Sequence, residues 1–143
     1  APAISPGGDW VAYHSDQTGQ FEVYVERFPE LGQRRQISTS GGLAPTWSPD
    51  GHELFYRQLD GGPMMVVPID TEDGFVPGTP EVVFDGQYVA GGGRFRMYDV
   101  APDGDRFLMI KQGASTDNAE NLAPQVNVAL NWFEELKDRV PVP

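Results

Sequence analysis

The sequence predicts an all-β fold built from three repeated antiparallel units, and two observations support this prediction. First, one turn signal precedes an apolar strand three times, at residues 5–8, 48–51 and 101–104. Successive copies lie 43 and 53 positions apart, and a period of this order indicates a repeat array or a propeller. Second, the 143 residues include 17 Gly and 13 Pro, a content typical of many turns and short strands rather than long helices.

The middle copy of the turn, Ser-Pro-Asp-Gly at residues 48–51, explains why the signal is informative. Pro49 fixes φ near the value required at the first inner position of a turn, and Asp50 can bond to the nearby backbone. Gly51 accepts a positive φ that other residues resist. The strands that follow the turns are apolar on both sides, which is typical of strands covered on both faces. These second strands are predicted at residues 10–15, 53–59 and 106–111.

The first two units each contain four predicted strands, which is the content of one propeller blade. In the first unit the strands are predicted at residues 3–5, 10–15, 21–28 and 34–39. In the second unit they are predicted at residues 44–48, 53–59, 64–70 and 81–84, with a long loop at 71–80. We therefore expect one domain in which blade 1 covers residues 1–40 and blade 2 covers residues 41–86.

The third unit departs from this pattern after its second strand. Its predicted segments are an inner strand at 94–101, a second strand at 106–111, a polar loop at 112–124 and an alternating strand at 126–132. No fourth strand follows, so blade 3, residues 87–132, is predicted to lack its own outer strand. A short C-terminal helix is predicted at 132–139, where Asn131 can cap the helix and Glu134 can complete a capping box. The chain is thus predicted to form a partial β-propeller of three blades.

Composition excludes several functional classes. The net charge of −11 argues against a nucleic-acid partner, because such a protein needs cations to replace phosphate counterions. No stretch of about 18 apolar residues is present, so we expect no membrane span. With no Cys and two His, a transition-metal site would lack its usual ligands, and we predict no metal and no cofactor. No leader peptide is visible, although one could have been removed or the segment cut from a larger protein, and the compartment stays open.

No catalytic constellation is recognisable, so the chain is predicted not to be an enzyme. His14, Ser15 and Asp16 are adjacent on a strand, where successive side chains point to opposite faces, so they cannot form a triad with one another. The sequence also lacks a Gly-x-Ser-x-Gly nucleophile elbow. We expect His14 to be structural or at the surface, and His52 to face solvent.

The turn aspartates allow one further metal hypothesis. Asp50, Asp103 and Asp105 could supply oxygen ligands to calcium. An Asp in a Pro-Asp-Gly turn is far more often a turn former, however, and we favour that interpretation.

The Ser-Pro-Asp-Gly turn before an apolar strand resembles the hallmark of the PD40, or TolB-like, β-propeller repeat, and it occurs here in three copies. Two turns depart from the pattern, since Gly7 replaces Asp and Ala101 replaces Ser. The segment 131–136 is similar to the end of TolB-like propeller segments found C-terminal to bacterial serine/threonine kinase domains. The resemblance implies a bacterial propeller with an interaction role, periplasmic by family analogy or else cytoplasmic. Three blades are fewer than the about 4–8 of closed propellers.

Function is expected on the face that carries the loops joining second to third strands and one blade to the next. These loops are predicted at residues 16–20, 40–43, 60–63, 86–93 and 112–124. Arg94, Arg96 and Tyr98 are the candidate ligand-binding residues, lining the opening beneath the loops. The glycines at 91–93 could form an anion-binding nest with the two arginines, although a plain connection into the inner strand is the simpler interpretation.

Three functions are compatible with the sequence. The preferred one is a non-enzymatic interaction module that forms a homodimer, because two three-bladed arcs related by a two-fold axis would give six blades. The remainder of a longer chain, or another protein partner, could close the ring instead. The alternatives are a small-ligand sensor and a fragment of a larger propeller-containing enzyme, either a hydrolase or a receptor-like kinase. An isolated arc would expose apolar end faces, predicted to carry Trp10, Val11, Tyr13, Phe107 and Met109.

Overall fold

The computed structural model describes residues 1–71, 74–89 and 95–111, together with the backbone of Val126–Ala129. Within these residues the chain is all-β, as predicted, and its antiparallel strands form three sheets. The one helical segment described is a 3-10 turn at Leu59–Gly61, and no described helix is long and apolar enough to cross a membrane. The strands are β1 (Ala3–Ile4), β2 (Trp10–Ser15), β3 (Glu22–Arg27), β4 (Arg35–Gln36), β5 (Leu43–Trp47), β6 (Glu53–Arg57), β7 (Met64–Asp70), β8 (Val76–Pro77), β9 (Glu81–Phe84), β10 (Tyr98–Val100), β11 (Phe107–Ile110) and β12 (Val126–Ala129).

The first sheet has the order β1-β2-β3-β4, which matches the four strands predicted for the first unit. The second sheet has the order β5-β6-β7-β8, and β9 also pairs with β7. The two-residue strand β8 falls inside the predicted loop 71–80. It forms because Val76 and Pro77 pair with the end of β7, at Asp70 and Ile69.

The third sheet contains three described strands in the order β10-β11-β12. Its inner strand, Tyr98–Val100, is shorter than the predicted 94–101. Tyr88 instead forms an isolated bridge with Lys111 beside the end of β11. The last strand begins at Val126, as predicted. The predicted loop 112–124 and the predicted helix 132–139 lie outside the described residues.

The three turns that define the repeat have the same backbone geometry. Gly8, Gly51 and Gly104 have φ values of +81°, +79° and +78°. Each donates its N–H to the carbonyl three residues earlier, at 2.9, 3.0 and 2.9 Å. The predicted positive φ is therefore confirmed in all three copies.

Neighbouring turns lie close together at a proline and a glycine. A Cβ placed on Gly51 would lie 3.4 Å from Cδ of Pro6, and one placed on Gly104 would lie 3.7 Å from Cδ of Pro49. The proline of one turn therefore lies beside the glycine of the turn in the next sheet. This close approach occurs at both junctions between sheets.

The middle sheet contributes apolar side chains to two separate core clusters. Leu54 and Tyr56 of β6 pack with Ala12 and Val23 of the first sheet. Phe55, which points to the opposite face of β6, packs with the third sheet, and its ring lies 4.9 Å from that of Phe107. The prediction that the sheets cover one another face to face is confirmed at both junctions.

The end faces of the arc are not those predicted from the sequence. Trp10 points toward the second sheet, where its ring lies 4.8 Å from that of Phe75. Phe107 and Met109 are buried in the cluster between the second and third sheets. The expectation that these three residues lie on open faces is therefore wrong, because adjacent strand residues face opposite ways and the apolar pattern alone did not say which way.

The open faces carry other residues of the same strands. On the first sheet, Val11 and Tyr13 share the outward face with Ile4, which pairs with Val11 and is 54% exposed. On the third sheet, the outward face carries Leu108 and Ile110, two residues apart on β11. The arc therefore ends in one partly apolar face on each side.

Candidate functional site

Arg96 links the second and third sheets at the start of the third inner strand. Its Nη1 donates to Oγ1 of Thr46 at 3.0 Å, and its Nη2 pairs with Oδ1 of Asp99 at 3.3 Å. Thr46 lies on β5 and Asp99 on β10, so the guanidinium bridges the two sheets. Arg94, the other predicted arginine, lies outside the described residues. Ligand binding by these arginines stays a prediction.

Tyr98 is buried rather than placed at an opening. The residue is 6% exposed, and its hydroxyl donates to the carbonyl of Ala44 at 2.6 Å, with the carbonyl of Phe55 3.3 Å away. Burial raises the pKa of Tyr98 above its ordinary value. The predicted position of Tyr98 is thus corrected to an internal one, where the tyrosine fastens the third sheet to the second.

Arg57 is a candidate site residue that the sequence reasoning missed. It ends β6 and shares the face of Phe55 toward the third sheet, and it is only 2% exposed. Its Nη2 donates to the carbonyl of Gly61 at 2.9 Å, and its guanidinium carbon lies 5.7 Å from the centre of the Tyr88 ring. Within the described part of the chain, Nε and Nη1 have no hydrogen-bond partner. A buried cation with unpaired donors is unusual and costly.

Among the described residues, the ionised side chain that acts on Arg57 is Asp85, and Tyr88 and Tyr98 lie near it as neutral hydroxyl-bearing rings. Burial lowers the pKa of the guanidinium, while Tyr98, Asp85 and Tyr88 act against that shift. Asp85 does not pair with it, and its Oδ1 instead accepts the N–H of Gly86 at 2.7 Å. One signal could have revealed this residue, namely a charged side chain inside the predicted strand 53–59, which was expected to be covered on both faces.

His14 and Arg57 occupy equivalent positions in the first and second sheets. Each lies six residues after the turn glycine of its sheet, which is Gly8 for His14 and Gly51 for Arg57. Its Nδ1 accepts the backbone N–H of Ala44 at 3.3 Å, and its ring meets the Phe21 ring edge-on at 5.5 Å. Ala44 has a positive φ of +53°, so this bond supports an uncommon backbone conformation. His14 therefore has the structural role that the sequence predicted.

The turn aspartates are engaged within their own turns. Oδ1 of Asp50 accepts the hydroxyl of Ser48 at 2.6 Å and the N–H of His52 at 3.1 Å, and the Ser48 bond lowers the pKa of Asp50. Asp103 accepts the N–H of Asp105 at 3.2 Å and forms an ion pair with Arg106 at 2.6 Å. In the described ranges, no group of three or more His, Asp or Glu side chains is placed to hold a metal ion.

Glu22 is a buried carboxylate at the start of β3. It is 2% exposed, and its Oε1 accepts the N–H of Gly41 at 3.0 Å. The hydroxyl of Ser38 and the side-chain amide of Gln20 also donate to it. These bonds tie the connection between the first two sheets to β3, which is a structural role.

A cleft of about 400 Å³ lies between the first and second sheets at the end that carries the turns. Its walls include Trp10, Asp9, Arg27, Asp50 and His52. His52 is exposed, as predicted. The volume falls within the about 300–1,000 Å³ of small-molecule pockets. This end is opposite to the predicted binding face, because a strand separates the two sets of loops.

No protein-family model matches the chain, and no curated protein matches it either. Solved structures match its fold. A provisionally assigned TolB from Agrobacterium tumefaciens aligns with a TM-score of 0.56 and 20% identity, covering 81% of this chain and 39% of that one. TolB from Acinetobacter baumannii aligns with a TM-score of 0.55 and 17% identity, covering 81% of this chain and 27% of that one.

An acylaminoacyl peptidase from Pyrococcus horikoshii also aligns, with a TM-score of 0.53 and 16% identity over 89% of this chain and 19% of that one. Identities this low show the fold alone. The chain therefore has a TolB-like β-propeller fold at a coarse level, and it spans about two fifths or less of each of these structures.

Proposed function

We propose that this chain is a non-enzymatic β-propeller interaction module that completes its ring with a second copy of itself. The observation that carries the proposal is the exposure of Leu108. Leu108 is equivalent to Ala12 and Phe55, because each of the three lies four residues after the turn glycine of its own sheet. Ala12 and Phe55 are 0% and 3% exposed because the next sheet covers them. Leu108 is 43% exposed. The third sheet thus presents the kind of face that the first two sheets cover with a neighbour.

The first sheet presents the complementary face. Val11 occupies the position of Leu54 and Phe107, which are 0% and 2% exposed against the preceding sheet. Val11 is only partly buried, and Ile4 beside it is 54% exposed. The third sheet therefore exposes the face that, in the other sheets, packs against the following sheet. The first sheet exposes the face that, in the other sheets, packs against the preceding sheet.

A second copy can meet both surfaces at once. Two copies related by a two-fold axis would place the third sheet of each against the first sheet of the other. Six blades would result, within the about 4–8 blades of closed propellers. The share of the TolB structures that the chain covers, 39% and 27%, is consistent with one copy supplying part of a ring. The rest of a longer polypeptide is the competing way to fill both faces.

We also propose that the three units are related to PD40 repeats. The turn motif supports this kinship, because all three copies keep the proline and the glycine with positive φ. Kinship with propeller segments of bacterial kinases depends on residues 131–136, which lie outside the described residues.

The proposal is tested with Leu108→Asp, measured by size-exclusion chromatography with light scattering over a dilution series. We expect the parent to have twice the 15.7 kDa mass of one chain and the variant to have the mass of one. Fully burying one leucine contributes about 1.5–3 kcal/mol, and the 43% of Leu108 that is exposed accounts for about 0.6–1.3 kcal/mol of it. A symmetric dimer buries Leu108 twice and would bury two carboxylates in the variant, so dissociation should become at least about tenfold easier.

Val82→Asp is the matched control, because Val82 is 58% exposed and lies on β9 of the second sheet, which is the middle one of the three. It should leave the dimer intact. A parent protein that is a clean 15.7 kDa monomer at all concentrations would reject the self-association. A dimer unchanged by Leu108→Asp would reject this interface.

A small-ligand sensor is the second candidate, and the cleft beside Trp10 favours it. A thermal-shift screen against metabolites, with Trp10→Ala as the comparison, would reveal a ligand, since binding at about 100 times Kd adds about 2.7 kcal/mol of stability. Turnover of generic esterase, peptidase or glycosidase substrates would instead argue for the enzyme-fragment alternative.

A further inference from the structure

We infer that Arg57 is the binding residue of a carboxylate site between the second and third sheets, at the end that carries the 58–63 loop. This site is separate from the end faces proposed for self-association. It is also separate from the cleft beside Trp10, which lies at the other end of the sheets and at the other junction.

Arg57 has more hydrogen-bond donors than the described residues around it satisfy. A guanidinium has five N–H groups and cannot lose its charge in ordinary conditions. One nitrogen donates to the carbonyl of Gly61, and the Tyr88 ring lies within cation–π distance. Nε and Nη1, which carry three N–H groups, have no partner among the described residues, although the side chain is 98% enclosed. Proteins rarely leave such donors unpaired.

The repeat itself does not require an arginine at this position. His14 fills the equivalent position in the first sheet and accepts a backbone N–H from the next sheet. Ile110 fills it in the third sheet. At the first junction the Nδ1 acceptor of His14 is satisfied by the N–H of Ala44. At the second junction the Nε and Nη1 donors of Arg57 have no described partner, and an acceptor from a bound ligand would match them.

Charge and shape favour a carboxylate as that acceptor. At ordinary pH the ionised group that acts on Arg57 is Asp85, since the hydroxyls of Tyr88 and Tyr98 are protonated, and no described Lys or Arg acts on it. One positive charge is balanced by one carboxylate. A phosphate dianion would leave excess negative charge near Asp85. The planar guanidinium also matches the planar carboxylate in hydrogen-bond geometry.

The test compares sodium acetate with sodium chloride and sodium phosphate at equal ionic strength, using the unfolding temperature of the protein in whatever assembly it forms. We expect acetate to raise this temperature in a saturable way in the parent and in Arg35→Met, which removes an exposed arginine. In Arg57→Met, the rise in unfolding temperature at a given acetate concentration should be at least tenfold smaller. Its starting temperature should not fall, because the variant removes an unpaired buried charge.

A second readout is the Nε–H resonance of Arg57 in a ¹⁵N NMR titration, which should move with acetate along the same curve. An unchanged resonance, an equal acetate response in Arg57→Met, or tighter binding of phosphate than of acetate would each overturn the inference. None of these outcomes bears on the mass of the assembly, so failure here leaves the self-association proposal standing.

Discussion

Replacing Tyr98 by phenylalanine removes one oxygen from the boundary between the second and third sheets and leaves the ring in place. The lost hydroxyl donates to the carbonyl of Ala44 at 2.6 Å. Ala44 is itself 5% exposed, so water cannot easily reach the stranded oxygen. A buried acceptor without its donor costs about 1–3 kcal/mol. We therefore expect Tyr98→Phe to lower the free energy of unfolding by that amount.

The measurement is urea denaturation followed by tryptophan fluorescence, at one fixed protein concentration. The midpoint should fall while the slope with urea stays the same, because the surface exposed on unfolding does not change. Tyr13→Phe is the matched control. The Tyr13 hydroxyl donates to Oε1 of Glu26 at 2.7 Å, but within one chain the residue is only partly buried, so at a protein concentration low enough to keep the chains separate water can replace the bond. If Tyr98→Phe proves no less stable than Tyr13→Phe, the buried bond does not hold the sheets together.

Three further predictions concern the turns, the buried carboxylate and alkaline pH. Gly51→Val should destabilise the fold by roughly 1–3 kcal/mol, because φ is +79° at that residue; Gly7→Val, at a glycine without positive φ, is its control, and equal denaturation midpoints for Gly51→Val and the parent would count against the repeat. Glu22→Gln should cost about 1–3 kcal/mol in urea denaturation, since the donors of Gly41, Ser38 and Gln20 now share two oxygens and the amide would offer one; parental stability would show that this carboxylate is dispensable. Burial raises the pKa of Tyr98 and Tyr56, so the folded state holds their protons longer than the unfolded chain does. Their stabilisation is complete below pH about 10 and is lost as pH rises above it; a flat unfolding free energy between pH 9 and about 11.5 would contradict this.

The turns were the most predictable part of the fold, and the orientation of the strands was the least. Pro49 and Gly51 have backbone requirements that are local, so the sequence alone specifies their conformation. Trp10 and Val11 are both apolar, and nothing in their pattern says which one faces the next sheet. Aligning the repeats matches Val11 with Leu54 and Phe107, and Trp10 with Glu53 and Arg106, which shows which residues share a face but not which neighbouring sheet that face meets.

The candidate site was predicted less well than the fold, for a related reason. Tyr98 was selected because it follows two arginines near a glycine-rich run, but the enclosure of its hydroxyl depends on the carbonyl of Ala44, 54 residues earlier. Arg57 was missed because its environment is made by Gly61 and Tyr88, and only the tertiary fold brings Tyr88 to it. Local patterns specify turns, whereas the partners of a buried polar group come from distant parts of the chain.

The close approach of a proline and a glycine between successive turns has a consequence for how neighbouring sheets are packed. A Cβ added to either glycine would meet the proline of the neighbouring turn, at 3.4 Å on Gly51 and 3.7 Å on Gly104, so a larger side chain there would push the turns apart. At the opposite end the two junctions are filled differently, by His14 in one and by Arg57 in the other. The turn end of each junction is therefore built the same way twice, whereas the opposite end is not. Substitutions at His14 or Arg57 would alter the packing between neighbouring sheets at that end and leave the turn residues Pro6, Gly51, Pro49 and Gly104 unchanged.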